Sequence, residues 1–283
     1  MKRSDELMRI GLIFCSANGT TEKVTDLLFQ CFESNGHTVE KINIGSAPYR
    51  GNPEKVLKAT QKFDLIGLGS PVYHMDMLGP MLQLLITLQI KDFENKLKAF
   101  VYVSYSGITT GKAFINTLKK LNRSRISIIG GLKIKAPHFH HKDDVLDIQK
   151  TDLMIKNFCE KLQRKNFDNL SLKKAKVLFS PEKARVNVLF PIVHLVGKLR
   201  ELPIKIDKSK CRQCRKCEKE CPGSAIIITE AAEIDFKKCL HCYHCVTVCP
   251  FQAITSPIHE IDQMIKVNKK IVGMENPSDN IYV

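Results

Sequence analysis

The chain has 283 residues, a length that suits two domains, and its 43% hydrophobic and 26% charged residues are ordinary for a globular protein. It has no apolar run of the roughly 18 residues that a membrane-spanning helix needs and no secretory cleavage pattern, so we expect a cytoplasmic protein. The net charge of +15 is spread along the chain without a basic motif interleaved with aromatic residues, which argues against a nucleic-acid partner and favours an acidic protein partner.

Short apolar runs alternate with helical patterns through residues 9–163, and this alternation is typical of a parallel α/β sheet. We predict strands at 10–15, 39–44, 65–69, 98–105 and 126–134, and helices at 21–34, 54–62, 80–89, 112–121 and 144–165. Five strands and five helices fit a five-stranded parallel sheet of order 2-1-3-4-5, in which a ligand binds beyond the carboxyl ends of the strands. We assign residues 1–165 to this α/β domain.

The loop after the first strand opens the first helix, and its residues are candidate phosphate ligands: Ser16, Ala17, Asn18, Gly19, Thr20 and Thr21. Small hydroxyl and amide side chains, one glycine and a helix N-terminus together can hold a phosphate without a lysine or arginine. A dinucleotide loop would need GxGxxG, and only one glycine is present. The simpler alternative is an ordinary capped start of the helix.

Two further loops follow the third and fourth strands at the same edge of the sheet. The candidate binding residues of the first are Ser70, Pro71, Val72, Tyr73 and His74, and those of the second are Tyr105, Ser106, Gly107 and Gly111.

These three loops resemble those of flavodoxins. The first resembles the flavodoxin phosphate loop, Ser/Thr-x-Thr-Gly-x-Thr, with Asn18 in place of the middle threonine. The resemblance implies bound FMN, with backbone groups of the other two loops on the isoalloxazine edge and Tyr73, His74 or Tyr105 over a ring face. Flavodoxins often place a tryptophan there, and this chain has none.

A loop with three histidines, His138, His140 and His141, follows the fifth strand on the same side. His138, His140 and Tyr73 are candidate proton donors for a reaction at a flavin. The simpler interpretation, which we favour for the histidines, is a polar loop with solvated imidazole rings.

Residues 166–203 match neither the α/β pattern before them nor the cysteine pattern after them. Ser180 and Pro181 are a good helix start, and apolar residues follow at helical spacing with basic residues beside them. A basic amphipathic helix at 181–203 could contact a membrane surface. We favour a connecting helix that packs between two domains.

Eight of the eleven cysteines lie within residues 211–249, in two copies of Cys-x2-Cys-x2-Cys-x3-Cys-Pro that are 28 residues apart. Such clustering indicates metal binding and not a secreted disulfide framework. Structural zinc would use two CxxC pairs with a longer gap between them. We therefore predict two [4Fe–4S] clusters in residues 204–258, followed by a C-terminal tail at 259–283 without a functional signal.

The spacing also predicts which cysteines share a cluster, because the fourth cysteine of each copy ligates the other copy's cluster. Cluster I takes Cys211, Cys214, Cys217 and Cys249, and cluster II takes Cys239, Cys242, Cys245 and Cys221. We expect each fourth cysteine to start a short helix, with its proline in the first turn. Strands at 204–206 and 254–255 and a hairpin over 226–236 complete a small α+β domain.

Residues 204–258 resemble the bacterial two-cluster ferredoxins, and the whole chain resembles the flavodoxin–ferredoxin fusion proteins of anaerobic bacteria and archaea. That resemblance implies an iron–sulfur flavoprotein that transfers electrons between low-potential clusters and FMN, coupling one- and two-electron steps with a ferredoxin or acidic reductase as partner. One alternative is a ferredoxin-dependent flavin reductase that acts on a small organic substrate. Another is a non-catalytic module of a larger membrane or redox complex.

Overall fold

The computed structural model describes residues 7–94, 96–106, 109–136, 146–178, 202–258, 260 and 280–283. Several predicted features lie outside these residues: Gly107, the loop with His138 and His140, the helix predicted from residue 181, and most of the tail. No helix in the described ranges is both long enough and apolar enough to cross a membrane.

The first domain alternates strands and helices. Its strands are β1 (Arg9–Phe14), β2 (Thr38–Asn43), β3 (Leu65–Tyr73), β4 (Asp76–Met77), β5 (Lys98–Tyr105) and β6 (Ser127–Lys135). Its helices are α1 (Thr20–Ser34), α2 (Pro53–Thr60), α3 (Gly79–Leu88), α4 (Ala113–Arg123), α5 (Ile148–Arg164) and α6 (Leu172–Leu178). The last of these helices lies in the segment predicted to connect the domains.

Five of these strands run parallel in the order β2-β1-β3-β5-β6, which is the predicted order 2-1-3-4-5 when the short hairpin strand β4 is left aside. The predicted fold class is therefore confirmed. Strands β1 and β5 are buried along almost their whole length, because helices cover both faces of the sheet. Helices α2, α3 and α4 contribute to the core on one face, and α1 and α5 to the core on the other.

The second domain is small and repeats itself. Its elements are β7 (Lys205–Ile206), α7 (Lys216–Glu220), β8 (Ile226–Ile228), β9 (Ala232–Ile234), α8 (His244–Val248) and β10 (Ile254–Thr255). Strand β7 pairs with β10, and β8 pairs with β9, both antiparallel. Three residues of the first copy have left-handed backbone, and so do their equivalents in the second: Gln213 and His241, Arg215 and Tyr243, Ser224 and Gln252.

The helix of each copy ends at the fourth cysteine, so the prediction that this cysteine starts a helix is wrong. Cys221 follows α7 with φ −71° and ψ 110°, and Cys249 follows α8 with φ −72° and ψ 108°. The physical reason is the next residue, since a proline forces the residue before it out of the helical region. Pro222 and Pro250 thus stop the helices and do not start them.

The chain returns to the first domain at strand β11 (Asn280–Tyr282), which pairs antiparallel with the edge strand β6. The Tyr282 ring packs against Phe114 with centroids 5.6 Å apart, and Lys165 Nζ donates to the Val283 carbonyl oxygen at 2.8 Å. Sequence reasoning missed this strand, because three residues are too few to show a strand period. The sheet consequently gains an antiparallel edge strand that covers β6.

Candidate cofactor pocket and cysteine clusters

A cavity of about 440 Å³, open to solvent, lies at the carboxyl ends of β1, β3 and β5. This edge of a parallel α/β sheet is where such folds bind ligands. Its walls come from the three loops that follow those strands, and they are lined by Ser16, Ala17, Asn18, Thr20, Thr21, Pro71, Val72, Tyr73, Ser104, Tyr105, Ser106 and Ala136. The three predicted loops therefore form one pocket.

Four predicted binding residues do not line the pocket but shape its loops. Ser70 Oγ donates to the Pro71 carbonyl oxygen and accepts the Leu78 N–H, so its side chain is turned away. Exposed His74 and the neighbouring Met75 make the turn between β3 and β4 with left-handed backbone.

Two of those four are glycines with left-handed backbone. Gly19 has φ 80° at the N-cap of α1, and Gly111 has φ 55°. A side chain at Gly111 would meet the Met75 carbonyl oxygen at 2.2 Å, so this glycine lets the second and third loops touch.

Two lining residues were not predicted, Ser104 and Ala136. Ser104 Oγ lies 2.9 Å from Thr21 Oγ1 and so ties the third loop to the first. Both residues stand at the ends of parallel strands, a position that alone could have marked them as candidates.

The start of α1 is built for an anion. The N-cap residue is Gly19, which has no side chain to cap the helix, and Ser16 Oγ accepts only the Glu22 N–H, at 3.3 Å. Among the described residues, no side chain accepts the N–H groups of Thr20 and Thr21, and the positive end of the helix dipole there favours a phosphate. This geometry supports the phosphate interpretation over an ordinary capped helix start.

Two tyrosines, Tyr73 and Tyr105, line the pocket. Tyr105 is buried, and the Lys133 ammonium lies 5.0 Å from its ring centroid. The hydroxyl of half-buried Tyr73 accepts a hydrogen bond from Asn18 Nδ2 at 3.1 Å. Burial raises the pKa of Tyr73, and the nearby charge of Cys242 raises it further, so the phenol stays protonated.

Asn18 joins the pocket to the second domain. Its Nδ2 also donates to the Cys242 carbonyl oxygen at 3.4 Å, and its Oδ1 pairs with His244 Nδ1 at 3.2 Å. His244 Nε2 in turn lies 3.1 Å from Glu220 Oε2. The loop predicted to hold a phosphate and the second cysteine copy are thus in direct polar contact.

Apolar contacts support the same interface. Cys242 and Leu240 pack into the core of the first domain. At Gly45, after β2, a Cβ atom would lie 3.2 Å from Pro222 Cβ and 3.4 Å from Cys15 Sγ. Burial and then the charge of Cys242 raise the pKa of Cys15 to about 12, which keeps this thiol protonated and unreactive at neutral pH.

Arg50 makes a second polar attachment between the domains. Its Nη1 lies 3.2, 2.5 and 3.1 Å from the carbonyl oxygens of Glu218, Lys219 and Cys221. These are the last carbonyl groups of α7, which have no partner inside the helix and carry its negative dipole end. An arginine from the first domain therefore caps a helix of the second.

The thiols predicted for cluster I lie together. Burial, followed by the charges of Cys249, Cys214 and Cys211, raises the pKa of Cys217 to about 11. A buried thiol of this kind becomes a thiolate only when a cation compensates its charge. Cys249 of the second copy therefore lies near Cys217 of the first. Four cysteine thiols are a suitable ligand set for an iron–sulfur cluster, and the ligation itself stays a prediction.

The thiols predicted for cluster II also lie together. Burial, followed by the charges of Cys221 and Cys239, raises the pKa of Cys242 to about 12. Burial and the same two cysteines, with Cys242, raise the pKa of Cys245 to about 12. Cys221 of the first copy therefore lies near two thiols of the second copy, as crossed ligation requires.

A backbone N–H group donates to the thiol of the fourth cysteine in each copy. The Ala225 N–H donates to Cys221 Sγ at 3.3 Å, and the Ala253 N–H donates to Cys249 Sγ at 3.3 Å. Hydrogen bonds to cluster sulfur stabilise its negative charge and tune its potential. The repeat is therefore preserved at the level of individual hydrogen bonds.

Comparison with known proteins bears on both domains. Residues 210–253 match the family model of the 4Fe-4S dicluster domain, and no curated protein matches the chain. Flavodoxin 1 from Bacillus cereus is 22% identical with a TM-score of 0.40, over 54% of this chain and 97% of that chain. The flavodoxin of Streptococcus pneumoniae is 14% identical with a TM-score of 0.42, over 56% of this chain and 99% of that chain.

A third similar structure is the rubredoxin oxygen:oxidoreductase of the anaerobe Desulfovibrio gigas, 15% identical with a TM-score of 0.42 over 58% of this chain. The chain spans only 37% of that protein. The flavodoxin-like assignment rests on the strand order of the sheet. The chain thus joins a flavodoxin-like α/β domain to a 4Fe-4S dicluster domain.

Crossed ligation can be tested with Cys249→Ala and Cys221→Ala. We expect Cys249→Ala to release Cys211, Cys214 and Cys217, because it removes the fourth ligand of their cluster. Anaerobic alkylation followed by mass spectrometry identifies the released thiols, and iron analysis gives the loss of one cluster. Cys31→Ala, which alters a buried thiol of the first domain, is the control. Release of Cys239, Cys242 and Cys245 by Cys249→Ala would instead show uncrossed ligation.

Arg50→Ala tests the capping contact between the domains. The change removes the Arg50 donor from the Glu218 and Lys219 carbonyl groups, while the Cys221 carbonyl oxygen still accepts the Ser224 N–H. We expect a loss of about 1 to 2 kcal/mol in the local stability of the second domain. Hydrogen exchange of the cluster-loaded protein should show roughly tenfold faster exchange of amides in residues 216–221. Arg123→Ala, on the exposed end of α4, is the matched control. Equal exchange in both variants would contradict the cap.

Proposed function

We propose that this chain is an iron–sulfur flavoprotein that transfers electrons between two [4Fe–4S] clusters in its second domain and FMN in the pocket of its first. The observation that carries the proposal is the contact of Cys242 with the pocket wall. Its carbonyl oxygen accepts from Asn18, and its thiol lies close enough to Tyr73 to raise the pKa of the phenol. A cluster ligand thus touches two residues that line the cofactor pocket.

The pocket favours FMN among phosphate-bearing cofactors. One helix N-terminus with a single glycine suits one phosphate group, whereas a dinucleotide needs a glycine-rich turn. Residues 16–21 would hold the phosphate, and Pro71, Val72, Tyr73, Tyr105 and Ser106 would surround the ring. Since Lys133 lies under Tyr105, the ring site also has a positive charge nearby.

The eight cysteines favour two clusters. Cys217 has Cys249 among its neighbours, and Cys242 and Cys245 both have Cys221, which are the pairs that crossed ligation requires. Each cluster carries one electron at low potential, and a flavin accepts one or two. We propose that the chain in this way links single-electron carriers to a two-electron step, with an acidic redox protein as its partner.

The residues of the interface have defined tasks in this proposal. Asn18 holds the Tyr73 hydroxyl and the Cys242 loop together, so that the pocket wall and the cluster loop keep one distance. Arg50 fixes the end of α7, which leads into Cys221. A protonated Tyr73 adds no charge between the two sites. A short separation that stays constant is what electron transfer between bound cofactors needs.

Anaerobic reconstitution and reductive titration test the proposal. We expect about eight iron atoms per chain and one FMN released by acid, identified by chromatography. During titration, the loss of cluster absorbance at visible wavelengths should be followed by reduction of the flavin in the same molecule. Arg50→Ala should slow this second phase because it loosens the interface. Clusters that reduce fully while the flavin stays oxidised would refute the coupling.

A further inference from the structure

The two cysteine copies share their spacing but not their charge. Six exposed basic residues accompany the first copy: Lys208, Lys210, Arg212, Arg215, Lys216 and Lys219. The residues 28 positions later are Phe236, Lys238, Leu240, Tyr243, His244 and Thr247, which retain a single lysine. Cluster binding needs the cysteines and not these charges, so the ligand spacing does not account for the basic residues of the first copy.

Both copies contact the first domain, the first copy at the end of α7 and the second copy at its cysteine loop. Leu240 and His244 of the second copy pack or hydrogen-bond against the first domain, as described above. Cys242 is 8% exposed in that interface, whereas its equivalent in the first copy, Cys214, is exposed. One cluster therefore has its ligand sealed against the pocket wall, and the other presents a ligand to the outside.

The described part of the chain pairs only two of the six basic residues near Cys214 with acidic ones. Lys210 pairs with Asp207 at 3.4 Å, and Arg215 pairs with Glu218 at 3.3 Å. In the described part of the chain, no salt bridge involves Lys208, Arg212, Lys216 or Lys219. Residues 207–220 hold six basic side chains against three acidic ones. We call the surface formed by Lys208, Arg212, Lys216 and Lys219 the basic face.

We propose that the basic face docks an acidic redox protein, so that electrons enter or leave the chain at the first cysteine copy while the second copy serves the pocket. The proposal rests on the electron-transfer function proposed above and assigns the partner's site. Complementary charge speeds the encounter of two proteins and orients them. Here it would bring an acidic carrier onto the side where a cluster ligand is exposed. One electron leaves the carrier, which is oxidised, and one cluster is reduced.

The test is a double charge reversal, Arg212→Glu with Lys216→Glu, read by anaerobic stopped flow. The probe is a prereduced acidic plant-type [2Fe–2S] ferredoxin, whose spectrum differs from that of a [4Fe–4S] cluster. We expect the second-order rate of cluster reduction to fall at least about tenfold at low ionic strength, and its salt dependence to flatten. A wild-type rate in the variant would overturn the proposal.

Two controls distinguish a loss of ferredoxin docking from damage to the protein or its clusters. Lys58→Glu with Lys161→Glu makes the same change of net charge on exposed parts of α2 and α5, and we expect less than about a threefold effect. Photoreduced 5-deazariboflavin, an uncharged reductant, should reduce the clusters of all variants at one rate. If the first reversal loses iron, Lys208→Glu with Lys219→Glu, which lies outside the Cys-x2-Cys turns, replaces it with the same expectation.

The readout is cluster reduction, so it does not depend on the flavin. If the clusters do not pass electrons to the flavin, the rates of cluster reduction by the ferredoxin are unaffected. If the ferredoxin does not dock on the basic face, the reductive titration of the flavin is unaffected. A membrane-binding face is distinguished by sedimentation with vesicles of phosphatidylserine and phosphatidylcholine. Loss of vesicle binding in the reversal variant, with an unchanged ferredoxin rate, would assign the basic face to a membrane and overturn the proposal.

Discussion

The side-chain amide of Asn18 makes hydrogen bonds in three directions, and the arrangement of the two domains depends on them. Its NH2 group donates to the Tyr73 hydroxyl and to the Cys242 carbonyl oxygen, while its oxygen pairs with His244. A threonine, which flavodoxins place at this position, has no amide to bridge so many partners. Asn18, the residue that differs from the flavodoxin phosphate loop, is thus the residue that contacts the second domain.

Local sequence patterns predicted the strands of the sheet and the loops of the pocket. Strand β1 begins one residue before its predicted start and β5 coincides with its prediction, because buried parallel strands are continuous apolar runs. Ten of the twelve lining residues of the pocket were candidates, since parallel strands bring their carboxyl ends to one edge.

The contacts of Arg50 were not predictable, because its partners begin 168 residues away and no local pattern marks them. The spacing likewise did not show that the Ser70 hydroxyl is turned away from the pocket, onto the Leu78 N–H.

The repeat separates what the backbone does from what the side chains do. Arg215 and Tyr243 have nearly the same left-handed φ, 58° and 55°, since both must turn the chain between two cluster cysteines. Yet Arg215 is exposed, and Tyr243 is buried, with its hydroxyl accepting the Leu202 N–H. The two copies therefore share their backbone geometry, while their side chains differ in burial and in what they contact. In the proposed function, the two clusters would have equal ligands but different environments, and hence different potentials.

Strand β11 gives the cluster domain a double tether. Helix α6 precedes that domain and packs on the first one, where Ala175 is fully buried, and β11 follows it and joins the same sheet. The second domain is thus inserted in the chain between α6 and β11, which both belong to the first domain. If the Asn18 and Arg50 contacts broke, the second domain would still be attached to the first at both of its ends. Loop closure restricts the separation of the two halves even when the interface opens, so their effective concentration stays high and reclosure is an intramolecular event.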